Sequence, residues 1–111
     1  MKPIVEQYFK AFANKDLETL STLYDDNVVL WEWGENIFMG KEQVLAANKS
    51  LFDIENELRV MVQRSAEVDE YASFHELMIH LSDNRMVTVV DVITVFENKI
   101  TNVTAYRGFM P

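Results

Sequence analysis

The chain has 111 residues and a net charge of −8, from ten basic against eighteen acidic side chains. That length fits a single domain spanning 1–111, able to bury about two-thirds of its unfolded surface. The absence of cysteine excludes disulfides, thiol catalysis and thiolate metal sites, and the acidic surplus sets nucleic-acid binding aside because phosphate backbones need a basic footprint.

Pro3 suits a first helical turn, and Ile4, Val5, Tyr8, Phe9, Phe12 and Ala13 recur at helical spacing. They predict a helix over about 3–14. Asp16 is an N-cap for a second helix with Leu17, Leu20, Leu23 and Tyr24 on one face. Residues 27–33, rich in Val and Trp, read as a short strand. Gly40 precedes a third helix over about 41–53, with an apolar face of Val44, Leu45, Ala47, Leu51 and Phe52. Extended segments follow at about 58–68, 71–81, 86–96 and 100–107. The predicted order is α-α-β-α-β-β-β-β. This is an α+β cone, with three N-terminal helices packed on a curved, mostly antiparallel sheet and an apolar pocket at its open end. No apolar run approaches the ~20 residues of a membrane span. The first residues meet a charge too early for a signal-peptide core, so the cytoplasm is the expected compartment.

The turn Ser82-Asp83-Asn84-Arg85 sets the pairing of the two longest strands. An even-numbered loop pairs residues whose numbers sum to 167 and brings Glu76 opposite Asp91. Phe74, Glu76, Met78 and His80 then share a face with Val89, Asp91 and Ile93. A three-residue loop shifts the register by one and brings His75 or Leu77 opposite instead. Asp91 is the only charged group in Met86–Phe96. A carboxylate on an apolar face is costly unless paired, hydrogen-bonded or protonated. Burial raises its pKa, and a neutral acid can donate a hydrogen bond to a developing oxyanion. The alternatives are a solvated face at that point, or a pairing of Asp91 with Arg107 or Arg64. In the next turn, a two-residue loop puts Asn102, Thr104 and Tyr106 on the Asp91 face, and a three-residue loop puts Val103, Ala105 and Arg107 there.

Trp31 and Trp33 share one parity of the first strand and suit a flat apolar or aromatic ligand at a pocket mouth, or simply fill the cone. Glu32 has the other parity and is expected outside unless a bulge turns it inward. Asn48 lies in the middle of an apolar helix face, where a buried amide must find partners, in the backbone or in a ligand. The stretch His75-Glu-Leu-Met-Ile-His80 is one residue too long for a zinc-protease motif, and no metal site is expected. No Gly-rich phosphate loop or nucleophilic serine constellation is present, and no cofactor is expected. Leu77, Ile79, Leu81, Val90 and Val92 on the opposite face, with Thr88 and Thr94, suggest a homodimer through the outer sheet face.

The chain resembles the nuclear transport factor 2-like superfamily, and within it the SnoaL-like and ketosteroid-isomerase-like domains. The resemblance is carried by Val5-Glu6-Gln7-Tyr8-Phe9-Lys10-Ala11-Phe12 with Asp16-Leu17, by Leu23-Tyr24-Asp25-Asp26-Asn27-Val28, by Gly40-Lys41-Glu42, and by Val90-Asp91-Val92-Ile93 through Lys99-Ile100. It implies an oxyanion-hole tyrosine at Tyr8 and a protonated acid at Asp91. Trp31, which accepts no proton, stands where the isomerases keep their aspartate base. Two readings follow. One is a cofactor-free isomerase, cyclase or lyase moving a proton next to a carbonyl. In it Asp91, Tyr8 and Glu76 are catalytic, with Glu32 the alternative base. Trp31, Trp33, Asn48, Phe74, Met78, Val89, Ile93 and Tyr106 line the site for a small apolar or aromatic molecule. The other is a non-catalytic ligand-binding or dimerisation module with a filled or inert pocket.

Overall fold

The computed structural model describes residues 1–108. Its helices are α1 (Pro3–Ala13), α2 (Leu17–Leu23) and α3 (Lys41–Ile54); its strands are β1 (Tyr24–Glu32), β2 (Asn36–Met39), β3 (Arg59–Glu67), β4 (Ala72–His80), β5 (Met86–Phe96) and β6 (Lys99–Gly108). The strands form one sheet in the order β2-β1-β6-β5-β4-β3. β1 runs parallel to β6, and every other pair is antiparallel.

The helix ends follow the expected chemistry. Pro3 opens α1, and Asp16 caps α2 by accepting from the Thr19 backbone N–H at 3.0 Å. The last carbonyls of α3 are held by a cation from elsewhere in the chain. Lys15 Nζ donates to Phe52 O at 3.0 Å, and also to Glu55 O. Ile4, Val5, Tyr8 and Phe9 of α1, Leu20 and Leu23 of α2, and Val44 and Phe52 of α3 pack against Val28, Leu77, Ile93 and Val103 of the sheet.

Several expectations need correction. The sequence pattern missed β2, a four-residue edge strand whose alternation is too short to register. Tyr24 opens β1 rather than closing α2. The turn between β4 and β5 has five residues, not an even number, because His80 pairs with Met86. Glu55 holds it there: its carboxylate takes two hydrogen bonds from Arg85 Nη2, at 2.7 and 2.9 Å, and one from the Ser82 N–H at 3.0 Å. Asp83 and Asn84 adopt positive φ within it. The pairing sum is therefore 166, so His75 faces Asp91 and Glu76 faces Val90. Leu77 and Ile79 move to the inner face, while Val90 and Val92 stay outside.

The β5–β6 turn combines both of the expected outcomes. Glu97 and Asn98, both at positive φ, form a two-residue loop between Phe96 and Lys99. Thr101 is then an extra residue, since Val95 pairs with Ile100 but Thr94 pairs with Asn102. Beyond this bulge Val103, Ala105 and Arg107 lie on the Asp91 face, and Asn102, Thr104 and Tyr106 lie outside.

Candidate functional site

A cavity of about 530 Å³ lies between the helices and the inner sheet face. Tyr8, Phe9 and Phe12 of α1 form one wall, Ala47, Asn48 and Leu51 of α3 another, and Leu30, Leu77, Val89 and Val103 the floor. Its charged lining residues are Asp91 in the interior and Glu32, Glu35 and Arg107 toward the mouth.

Asp91 is 7% exposed, and burial pushes its carboxyl up to about 7. The two arginines that the sequence offered as partners are engaged elsewhere: Arg107 lies 4.0 Å from Glu35, and Arg64 pairs with Glu76. Among the described residues the Asp91 carboxyl has neither a cation nor a hydrogen-bond donor. No sealed side-chain oxygen or nitrogen among them lacks a partner. The carboxyl of Asp91 therefore opens on the cavity. A carboxylic acid so held keeps its proton up to about pH 7 and has it to donate below that.

Tyr8 shares the cavity wall and packs against Tyr24, ring centroids 6.2 Å apart. Burial, with the neighbouring Tyr24 and the Asp91 charge adding to it, holds the Tyr8 phenol well above its ordinary pKa. Burial likewise pushes Tyr24 up. Both phenols thus keep their protons. Tyr24 donates to Asn48 Oδ1 at 2.7 Å, which answers what a buried amide does on that helix face. Asp91, Tyr8 and Asn48 form one polar cluster on the inner wall, with Tyr24 buried behind them, while Glu32, Glu35 and Arg107 lie toward the mouth.

His75 faces Asp91 across the strands but does not pair with it. Its ring nitrogens lie 2.7 Å from Ser65 Oγ and 2.7 Å from Ser73 Oγ, and its ring meets Phe9 edge-on at 5.1 Å. Burial lowers its pKa, so it stays neutral at neutral pH.

Of the residues singled out in the sequence, Tyr8, Trp33, Asn48, Val89 and Asp91 line the cavity. Ile93 shares the inner face but is sealed in the core. Glu76, Phe74 and Met78 project from the outer face, a direct result of the one-residue register change. Glu76 there forms an ion pair with Arg64. Trp31 and Tyr106 are also outside, because β1 turns Val28, Leu30 and Glu32 inward and the Thr101 bulge reverses β6. Glu32, expected outside, lines the cavity and accepts from Asn36 Nδ2 at 3.3 Å. It sits beside Ala105, which in turn faces Asp91. Two strand spacings, about 9.5 Å, therefore separate the two acids along the sheet. Tyr24 was missed as a site residue, because a tyrosine at a helix end carries no signal in the sequence pattern; Arg107, one of the alternatives for the Asp91 face, is brought there by the bulge.

A profile of the SnoaL-like domain matches residues 5–103. The chain belongs to the SnoaL-like domain family. Among curated proteins no sequence match was found. Solved structures share the fold of this SnoaL-like domain at low identity. A candidate polyketide cyclase from Sinorhizobium meliloti is 17% identical, with a TM-score of 0.85 over 95% of this chain and 94% of the other. A candidate ketosteroid isomerase from Kribbella flavida is 16% identical, with a TM-score of 0.84 over 97% and 78%. An epoxide hydrolase of the LEH-like type from M. tuberculosis is 21% identical, with a TM-score of 0.81 over 95% and 80%. At these identities the likeness extends to the fold alone.

Proposed function

We propose that this SnoaL-like domain binds a small, mostly apolar carbonyl compound in the cavity and catalyses cofactor-free proton transfer next to the carbonyl, as an isomerase, cyclase or lyase. The observation that carries this reading is the neutral, partnerless Asp91 carboxyl opening on an apolar chamber beside the Tyr8 phenol. Two such donors hydrogen-bond the oxygen that gains charge as an enolate forms, in a site where water competes poorly. The proton at the adjacent carbon goes to a carboxylate. Glu76 does not reach the cavity, so that role falls to Glu32, on the same inner row as Asp91. The enolate is then reprotonated at carbon, or attacks or eliminates within the substrate, and Glu32 returns the proton.

The test is deuterium exchange at the carbon next to the carbonyl of a probe ketone such as 1-tetralone, followed by proton NMR. Exchange with wild type that disappears in Asp91→Asn supports the reading. Binding of the ketone without exchange favours the second reading, a ligand-binding module.

A second copy of the chain is the proposed partner of the outer sheet face. Phe74, Met78, Val90, Val92, Trp31 and Tyr106 project from it, and Trp31 is 38% and Tyr106 39% exposed. An apolar patch of this size, broken by the Glu76–Arg64 ion pair, is more usual at an interface than on a monomer. Sedimentation velocity should give a dimer that Val92→Glu dissociates, and a monomer at high micromolar concentration would count against it.

A further inference from the structure

Asn48 is 4% exposed and lines the cavity. Its oxygen is occupied, since Oδ1 accepts the Tyr24 hydroxyl at 2.7 Å. Its amide nitrogen has no hydrogen-bond partner among the described residues, and no sealed nitrogen there lacks one. The NH₂ therefore opens on the cavity, with two hydrogens to give. Tyr24 fixes which end of the amide faces inward. A tyrosine hydroxyl that has found an acceptor in Oδ1 holds the oxygen away from the chamber and leaves the nitrogen toward it.

The enolate reading uses one ligand oxygen, shared by Asp91 and Tyr8. It leaves the Asn48 nitrogen idle. A buried donor facing an apolar ligand loses its water and gains nothing, which costs affinity. A ligand with a second acceptor oxygen avoids that loss. We infer that Asn48, oriented by Tyr24, is a specificity-determining residue that selects ligands carrying two carbonyl-type oxygens on a flat apolar frame over those carrying one. Tyr24 is a positioning residue in this scheme: it does not touch the ligand but sets the polarity of the amide that does. The inference rests on the binding half of the reading above and is independent of turnover.

The experiment compares two probes of nearly equal shape by titration calorimetry at pH 6, where Asp91 is mostly neutral. The first is 7-acetyl-1-tetralone, whose two carbonyl groups do not enolise together. The second is 7-isopropyl-1-tetralone, in which the acetyl oxygen is replaced by a methyl. One net hydrogen bond gives wild type a preference of about fivefold to tenfold for the diketone. Asn48→Leu should abolish the preference by weakening the diketone and not the monoketone, which no longer strands a buried donor. Tyr24→Phe frees the amide to turn and should shrink the preference, the diketone losing more than the monoketone, a split that a loss of packing would not produce. Thermal melting checks that each variant is folded. If Asn48→Leu does not fold, Tyr24→Phe alone decides. Equal affinity of wild type for the two probes, or equal weakening of both in the variants, overturns the inference and leaves the enolate reading standing. Failure of wild type to bind either probe overturns both together.

Discussion

Asp91 and His75 face each other across neighbouring strands, yet the imidazole spends both nitrogens on Ser65 and Ser73 and leaves the acid alone. An acid beside a base usually ionises. Here the hydroxyls satisfy the base, and burial keeps the acid protonated to about 7.

The first prediction follows from that raised pKa. Between the ordinary carboxyl value of 3.8 and about 7, the unfolded chain loses the Asp91 proton while the folded chain keeps it. The group's contribution to stability is thus intact below the lower value and is lost as pH rises through the upper one. Asp91→Asn, which mimics the neutral acid, removes this dependence. Urea unfolding at about pH 4 and about pH 8 should show the variant gaining on wild type by roughly 3 kcal/mol. Parallel behaviour of the two proteins would mean that Asp91 ionises normally.

The second prediction separates the two glutamates. Glu32→Gln should slow ketone deuterium exchange by about 100-fold or more, the usual scale for a lost general base. Glu76→Gln removes a carboxylate on the outer face and should leave the rate unchanged. Exchange in wild type should also decline as pH rises past about 7, where Asp91 gives up the proton it donates. A rate that follows Glu76 instead would point to a different sheet register in solution.

A third prediction concerns the imidazole brace. Ser73 is buried, so Ser73→Ala leaves a ring nitrogen of His75 without a partner and should cost about 1–3 kcal/mol. Ser65 is exposed, and water can replace its hydroxyl. Ser65→Ala should therefore cost clearly less. Equal losses in denaturant titrations would show that the brace does not work in this way.

The fourth prediction tests what fixes the β4–β5 register. Arg85 reaches Glu55 from the turn, and that contact holds the Glu55 carboxyl below the usual range. Glu55→Gln should lower the melting temperature, and the difference from wild type should shrink in acid as the native carboxylate is protonated. Hydrogen exchange should show the faster opening at residues 81–86. An unchanged exchange pattern there would assign the register to strand packing alone.

The helices, the order of the long strands and the buried acid were legible in the sequence because each rests on a local pattern: periodic apolar residues, a cap, one charge in a β-branched run. The face of each neighbouring strand was harder to read, because it depends on counting through a turn. The five-residue turn at 81–85 takes its length from an ion pair with Glu55, far away in the chain, so Glu76 was assigned inward and His75 outward. The Glu97-Asn98 turn is local, and its two-residue length is one of the two the sequence allows, but the extra residue at Thr101 undoes its register a few residues later. Glu32 escaped for a related reason. Both parities of β1 are apolar at 28–31, and alternation alone does not say which one faces the helices.

The Thr101 bulge also bears on how such a fold changes over time. Point substitutions alter a chamber one wall at a time. Deleting Thr101 itself would only flatten the strand and keep its pairing. Ironing the bulge out with every residue retained would instead slide all later positions by one, so that threonine and tyrosine replace alanine and arginine on the inner face, and the indole pair's aromatic neighbour turns from the exterior into the chamber. New chemistry in a scaffold of this shape can therefore arrive abruptly, through a slip of one position, with hardly a letter of the gene altered.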